Sequence, residues 1–288
     1  MDEHDQRSLL HWGEAQRRDL PWRRTRDPWA ILVSETMLQQ TQVARVISRF
    51  LEVMERFPTT AACAAAPAGD LLRLWSGLGY NGRAVRLHAA AGAVERDFGG
   101  AFPRTVAELQ HLPGVGPYTA RAIMAFAFGA DVAVVDTNVA RAWARWSGRS
   151  LRPGEVQALA DGAVPEAEGW AWNQSLLDLG ATVCRARGPV CETCPWSRSC
   201  TWWAAGCPAP DPASGSAHTS RPQSRFVGSD RQGRGLLVRA LGRCPVSAAH
   251  LSSTMGWPED EARAARVAAG VVADGLAIRE PGGLYRLP

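Results

Sequence analysis

The chain has 288 residues, 46% hydrophobic and 21% charged, enough for one large or two modest domains with a real core. No uninterrupted apolar run reaches membrane-spanning length, and the amino-terminal Met-Asp-Glu-His-Asp-Gln-Arg lacks a signal peptide's apolar segment, so a cytoplasmic protein is expected. The formal charge of +4 is mild, yet all 32 basic residues are arginine and none is lysine. That bias suits phosphate binding, although a GC-rich genome would leave the same mark, and it removes every side-chain amine that could form a Schiff base.

In chain order, Leu20-Pro21-Trp22-Arg23-Arg24 reads as a basic, aromatic turn. From Asp27-Pro28 a helix is expected, with Asp27 as its cap and Pro28 at its first position. It carries Glu35, with Ile31, Leu32 and Leu38 on the same face. Desolvation on an apolar face disfavours the charged carboxylate and raises its pKa, as a general acid near neutral pH requires; a buried structural Glu bonded to a neighbouring turn would show the same pattern. The polar segment Gln39-Gln40-Thr41-Gln42 interrupts the helix, and its side chains suit base edges or a solvated joint. Val43, Val46, Ile47, Phe50, Leu51 and Met54 then resume helical spacing and are expected in the core.

Further on, the glycines around Leu78 and Tyr80, followed by Arg83 and Arg86, read as a groove-facing loop or a packed helix connection. Thr105 and Glu108 form a capping-box pattern for a short helix ending at Pro113. Gly114 and Gly116 then flank one apolar residue before a helix from Pro117 to about Gly129, a turn able to offer backbone N–H groups to a phosphate. The apolar run Val132 to Val135 delivers Asp136 to another helix start, where the dipole favours an ionised carboxylate.

Cys184, Cys191, Cys194 and Cys200 are separated by six, two and five intervening residues, a compact thiolate set for a metal. Zinc and a [4Fe-4S] cluster both take four cysteines. Cys63, Cys207 and Cys244 fit no ligand spacing and read as ordinary residues. A Pro/Ala/Ser-rich linker follows over 207–224. Beyond it, helices near 234–242, 247–255 and 258–274 and two short strands around Glu280-Pro281-Gly282-Gly283 suggest a winged helix, for DNA binding or packing. Its third helix repeats Ala264, Val267, Ala268 and Val271.

The Gly-Val-Gly turn followed about twenty residues later by Asp136 resembles the helix-hairpin-helix DNA glycosylase superfamily. Ser-Glu-x-Met-Leu-Gln-Gln-Thr-Gln-Val, starting at Ser34, narrows the resemblance to the adenine DNA glycosylase branch, the MutY family, over roughly residues 8 to 206. This implies an all-α, two-lobed helix-hairpin-helix glycosylase fold: 1–28 with 134–206 as an iron–sulfur lobe, and 29–133 as a six-helix barrel lobe with the hairpin. A linker over 207–224 and a winged-helix-like domain over 225–288 complete it. It implies a [4Fe-4S] cluster on the four cysteines, and a monomeric repair enzyme, nucleoid-associated in a bacterium, that excises adenine opposite 8-oxoguanine or guanine in duplex DNA. Catalysis would fall to Glu35 as acid, Asp136 facing the sugar, Tyr118 where bifunctional relatives carry their Schiff-base lysine, and Asn138 supporting Asp136. Gly114 and Gly116 would hold DNA backbone; Gln40, Thr41, Leu78 and Tyr80 would line the intercalation and opposite-base site, with Trp22 and Arg23 near the base pocket. Lysine-dependent strand cleavage is excluded. Two departures stand out: Asn81 replaces the second aromatic usual after Tyr80, and the tail is too short for a Nudix-like domain. A thymine or uracil mismatch glycosylase and a non-catalytic iron–sulfur DNA-binding protein are the competing readings.

Overall fold

The computed structural model describes residues 1–217 and 225–288. Its elements run α1 (Glu3–Gln16), α2 (Pro28–Leu38), α3 (Val43–Arg56), α4 (Thr60–Ala65), α5 (Ala68–Leu74), α6 (Gly82–Phe98) and α7 (Val106–Leu109). They continue with α8 (Pro117–Phe126), α9 (Thr137–Ser147), α10 (Pro153–Asp161), α11 (Gly169–Asp178), a π-helical turn (Leu179–Val183) and α12 (Thr201–Ala204). Last come α13 (Asp230–Leu241), β1 (Val246–Ser247), α14 (Leu251–Thr254), α15 (Glu261–Ala273), β2 (Ile278–Arg279) and β3 (Leu284–Arg286). No helix among the described residues is long and apolar enough to cross a membrane. The chain forms two units, one of Met1–Pro28, Arg104–Val106 and Gly116–Pro222, the other of Trp29–Pro103, Ala107–Val115 and Gln223–Pro288.

The first unit packs α1 and α8 to α12 around large aromatic side chains. Trp143 meets Trp196 at 5.2 Å and Trp146 edge-on at 5.5 Å, and Leu9, Val139, Val156 and Leu176 fill the space around them. Such offset and T-shaped contacts stabilise the rings beyond their area burial. Asp178 at the end of α11 is fully buried and receives Arg18 Nε at 2.5 Å and Arg23 Nη1 at 2.7 Å. The stretch expected as a linker is docked over 208–217. Arg145, itself buried, needs a carboxylate and takes Asp211 at 2.6 Å; Ala217 N–H donates to the Leu151 carbonyl at 2.8 Å, and Ala213 is buried. The remainder of that stretch, 218–224, lies outside the described residues.

In the second unit α2 is the central element. Residues Trp29 to Met37 are all buried, so the helix has no solvent face, and Trp29 Nε1 donates to the Phe57 carbonyl at 2.9 Å. Helix α3 buries Val46, Phe50 and Val53, a stripe of i, i+4, i+7. Leu51, expected in the core, is 53% exposed because it lies one step round the helix from that stripe. The tail of this unit has winged-helix topology: three helices and an antiparallel sheet of order β1-β3-β2, with Val246 opposite Tyr285 and Ile278 opposite Arg286. Ala264, Val267, Ala268 and Val271 are all buried on α15 as their spacing predicts. Strand β1, two residues long, is an addition to the two strands expected. The tail is tied to the helices before it by the Gly69 N–H, which donates to the Pro288 carbonyl at 2.8 Å.

Burial acts to raise the pKa of Asp178, but the hydrogen bonds and charges of Arg23 and Arg18 outweigh it and hold the carboxyl below its ordinary 3.8. A depressed acid contributes stability above its unfolded pKa that is lost as pH falls through the folded value. Asp178→Asn should destabilise the protein by about 3 to 5 kcal/mol at pH 7, because it leaves buried guanidinium charge uncompensated. In urea titrations the gap between wild type and variant should narrow as pH is lowered below about 4; a gap independent of pH would reject the ion-pair account.

Candidate functional site

Glu35 sits one turn before the end of α2 and is 6% exposed. The helix stops at Leu38 and the chain turns through Gln40, which adopts a left-handed φ of 55° and is exposed. What closes this helix end is Arg83, 3% exposed on α6. Its Nη1 donates to the carbonyls of Thr36, Met37 and Gln39 at 2.8, 2.9 and 2.6 Å. Its Nη2 donates to Thr41 Oγ1 at 3.1 Å and to the carbonyls of Leu78 and Gly79 at 3.2 and 3.0 Å. One guanidinium thus satisfies the orphan carbonyls at the end of α2 and fixes the Leu78–Tyr80 loop to the Gln40–Thr41 turn. Thr41 Oγ1 donates in turn to the Leu78 carbonyl at 3.3 Å. Burial lowers the Arg83 pKa to about 10, still well above neutrality. Of the two readings the sequence left open for this stretch, a groove-facing loop or a packed helix connection, Arg83 follows the second, and nothing in helical spacing distinguishes the two.

The loop brought up by Arg83 divides its two candidates. Leu78 is buried, whereas Tyr80, with φ of 47°, stands 45% exposed beside Asn81. In the same unit Gly114 has φ of 79°, and a Cβ there would lie 2.9 Å from Arg86 Cβ, so both conformation and space demand glycine.

The first unit holds the remaining candidates. Gly116 caps α8 with an ordinary φ of −92° and open space around it, so a side chain is tolerated there by the fold. Half-buried Tyr118 is at the second position of that helix. Asp136 caps α9: Oδ1 accepts the N–H groups of Asn138 and Val139 at 2.8 and 2.7 Å, and Oδ2 accepts Asn138 Nδ2 at 2.8 Å. Three donors hold the carboxylate in one orientation. Arg141 Nη2 donates to Asn138 Oδ1 at 2.9 Å and to the Gly180 carbonyl at 2.6 Å, while its Nε reaches the Cys184 carbonyl at 2.7 Å. A Cβ at Gly180 would meet Asn138 Cβ at 2.7 Å, so the π-helical turn can approach the start of α9 only with glycine there. Neither Arg141 nor Gly180 was singled out by the sequence. Trp22 is buried, and the Arg23 guanidinium is committed to Asp178 rather than turned outward.

Cys184, Cys191, Cys194 and Cys200 line one cavity walled by Trp146, Trp196, Trp202 and Trp203. Arg145 Nη1 donates to Cys184 Sγ at 3.5 Å. Burial pushes the Cys194 thiol up to about 12; burial and the neighbouring thiols push Cys191 up to about 11, so binding a metal here displaces protons. Among the described residues no three His, Cys, Asp or Glu side chains gather around a single ion position. The donor set is all thiol, with an arginine N–H directed at one sulfur, chemistry that suits a four-cysteine zinc site and an iron–sulfur cluster alike. Cys207, read from the sequence as an ordinary residue, lies close enough to Cys191 to help push its thiol up. The docking of 208–217 puts it there, which spacing alone does not reveal.

Residues 33–166 match the HhH-GPD superfamily of base excision DNA repair proteins. A protein named adenine DNA glycosylase from Mycolicibacterium smegmatis is 42% identical over 286 residues, covering 97% of this chain and 94% of that one. The human adenine DNA glycosylase is 42% identical over 208 residues, covering 67% of this chain and 38% of its own length. Among solved structures, a thermostable thymine-DNA glycosylase superposes with a TM-score of 0.64 at 31% identity, covering 69% of this chain and 94% of that chain. An endonuclease III–DNA covalent intermediate superposes at 0.61 with 24% identity over 72% of this chain and all of that chain, a likeness of fold.

Replacing Arg83 by Met would withdraw a donor from five backbone carbonyls, those of Thr36, Met37, Gln39, Leu78 and Gly79, and should cost about 3 kcal/mol in chemical denaturation. Arg83→Lys, with a single ammonium, should recover less than half of the loss. Near-wild-type stability of the Met variant would show that water replaces the guanidinium.

Proposed function

Because the chain belongs to the MutY-type adenine DNA glycosylases of the HhH-GPD superfamily of base excision DNA repair proteins, we propose that it hydrolyses the bond between adenine and deoxyribose in DNA, acting on adenine opposite 8-oxoguanine or guanine. The observation that carries this reading is Glu35, a carboxyl inside nine consecutive buried residues. An acid kept from water suits proton donation to a ring nitrogen of the leaving purine. Glu35 donates its proton to adenine, and the bond to C1′ breaks with its electron pair departing on the base. Asp136, held by three hydrogen bonds, stabilises the positive charge left on the sugar. Water then adds at C1′ and gives its proton to Glu35, which restores the acid. Asn138 orients Asp136, and Tyr118 assists the charged intermediate.

Extruding the adenine costs a few kcal/mol, less at a mismatch. Tyr80, exposed on the loop that Arg83 fixes, supplies a ring to fill the gap, with Leu78, Gln40 and Thr41 around it and Gly114 and Gly116 on the phosphates. With no lysine in the chain, the abasic product keeps its phosphodiester backbone. Cys184, Cys191, Cys194 and Cys200 would hold a [4Fe-4S] cluster, whose contribution is to brace the 184–200 loop. The protein acts as a cytoplasmic monomer on duplex DNA.

Single-turnover assays on duplexes with adenine opposite 8-oxoguanine should release adenine and leave the strand intact until alkali treatment. Glu35→Gln should lower that rate by at least about a thousandfold while duplex binding persists. Release of thymine or uracil instead would favour the mismatch-glycosylase reading, which the thymine-DNA glycosylase superposition keeps in view. Binding without release of any base would reject an enzyme altogether. Anaerobically purified protein should contain about four iron and four sulfide per chain. About one zinc per chain would reject the cluster.

A further inference from the structure

A groove of about 1230 Å³ runs within the second unit between the Ser76–Gly82 loop and α13. Seven of its twenty lining residues are arginine and none is acidic. Arg45, Arg73 and Arg86 come from the helices before the loop and from α6; Arg231, Arg234, Arg239 and Arg243 come from α13 and the residues just after it. The α13 arginines and Arg243 line the groove, while Leu237 and Leu241 of the same helix are buried. Asp70 neutralises Arg73 and Asp274 neutralises Arg234. Among the described residues no carboxylate pairs with Arg45, Arg86, Arg239 or Arg243, and all four are exposed. Tyr80 and Phe226, 45% and 55% exposed, line the same groove.

The other face of the module is built differently. Helix α15 is the third helix of the winged helix, the one such modules ordinarily lay in the major groove. Here Glu259, Asp260 and Glu261 stand at its start, where they would meet phosphates with like charge. Its two arginines share one carboxylate: Arg263 and Arg266 both bind Asp230, at 2.7 and 2.9 Å, and Arg263 also stacks on Trp257 at 4.0 Å. The module has turned its cations from the third helix to the first.

We propose that the winged-helix tail is a backbone clamp, in which the α13 face and the Ser76–Gly82 loop together grip the phosphates of duplex DNA beside Tyr80. This rests on the reading of the chain as a DNA glycosylase. Arginine's planar fork matches a phosphate in two hydrogen bonds, and the interleaved rings of Tyr80 and Phe226 offer faces for sugars or an unstacked base. A clamp of this kind recognises charge and spacing, so it acts on any sequence.

The test is binding of full-length protein to an undamaged duplex of about 25 base pairs across a range of NaCl concentrations, read by fluorescence anisotropy. Each lost phosphate contact should reduce the slope of log affinity against log salt by about 0.9, so Arg239→Ala with Arg243→Ala should lower it by about 2 and weaken binding on the order of tenfold at 150 mM salt. Arg239→Lys with Arg243→Lys should restore most of the slope, which a packing defect would not allow. Arg263→Ala with Arg266→Ala should leave the slope unchanged. An unaltered slope in the Arg239/Arg243 alanine variant, or an equal loss in the α15 variant, overturns the clamp. If wild-type protein binds duplex and releases adenine while the Arg239/Arg243 variant is indistinguishable from it, only the clamp falls. If wild type neither binds nor excises, the glycosylase reading falls first.

Discussion

The second unit depends on one buried guanidinium. A helix ends with carbonyls that have no partner within it, and at the end of α2 the carbonyls of Thr36 and Met37 are buried. Arg83 supplies five N–H donors from a planar fork at that point and is held away from solvent by the rings of Trp75 and Tyr80, 5.4 and 5.6 Å from its carbon. Because the same group also holds the carbonyls of Leu78 and Gly79, the position of the candidate acid on α2 and the position of the candidate wedge at Tyr80 are set by one side chain. Loops that must meet DNA with a fixed shape need such a tether, since exposed loop backbone has few other buried contacts to order it.

The first unit solves the complementary problem. Asp136 is held in a fixed direction by the free N–H groups of a helix start. Asn138 closes the remaining oxygen, and Arg141 passes the constraint to the carbonyls of Gly180 and Cys184. The cysteine loop is anchored in the same manner, because Arg145 donates to the Cys184 sulfur and the Arg185 carbonyl while pairing with Asp211. Loop, helix start and docked tail therefore share two arginines on α9, one turn apart.

What the sequence made legible follows from the range of each signal. The buried stripe of α15, the capping role of Asp136, the four-cysteine set and the winged-helix outline are local patterns, and the structure shows each of them. Partner choice is not local. Arg23 and Arg83 both looked available for DNA because their sequence neighbours are polar or aromatic; the structure gives them Asp178 and a helix end that lie 155 and about 45 residues away. Cys207 was set aside on spacing and lies beside Cys191 because the proline-rich segment folds back. Gly180 had no signal at all, since a close approach between two elements leaves no trace in either one. Arg263 and Arg266 likewise share the carboxylate of Asp230, 33 and 36 residues away, a pairing their spacing does not reveal.

An arginine-only basic set has consequences at each of these positions. A buried lysine sheds its proton readily, whereas the guanidinium of Arg83 keeps its charge even with its pKa lowered to about 10. Carbonyl-rich helix ends and buried carboxylates such as Asp178 can therefore be closed by cations that stay charged. Every arginine so used is removed from the surface, and a mild net charge of +4 then says little about the DNA-facing potential. The cations left unpaired decide that potential. Those in the groove between α13 and the Tyr80 loop are concentrated where no acid lines the wall, so a protein that is nearly neutral as a whole presents a strongly positive strip beside the residues proposed to open the helix.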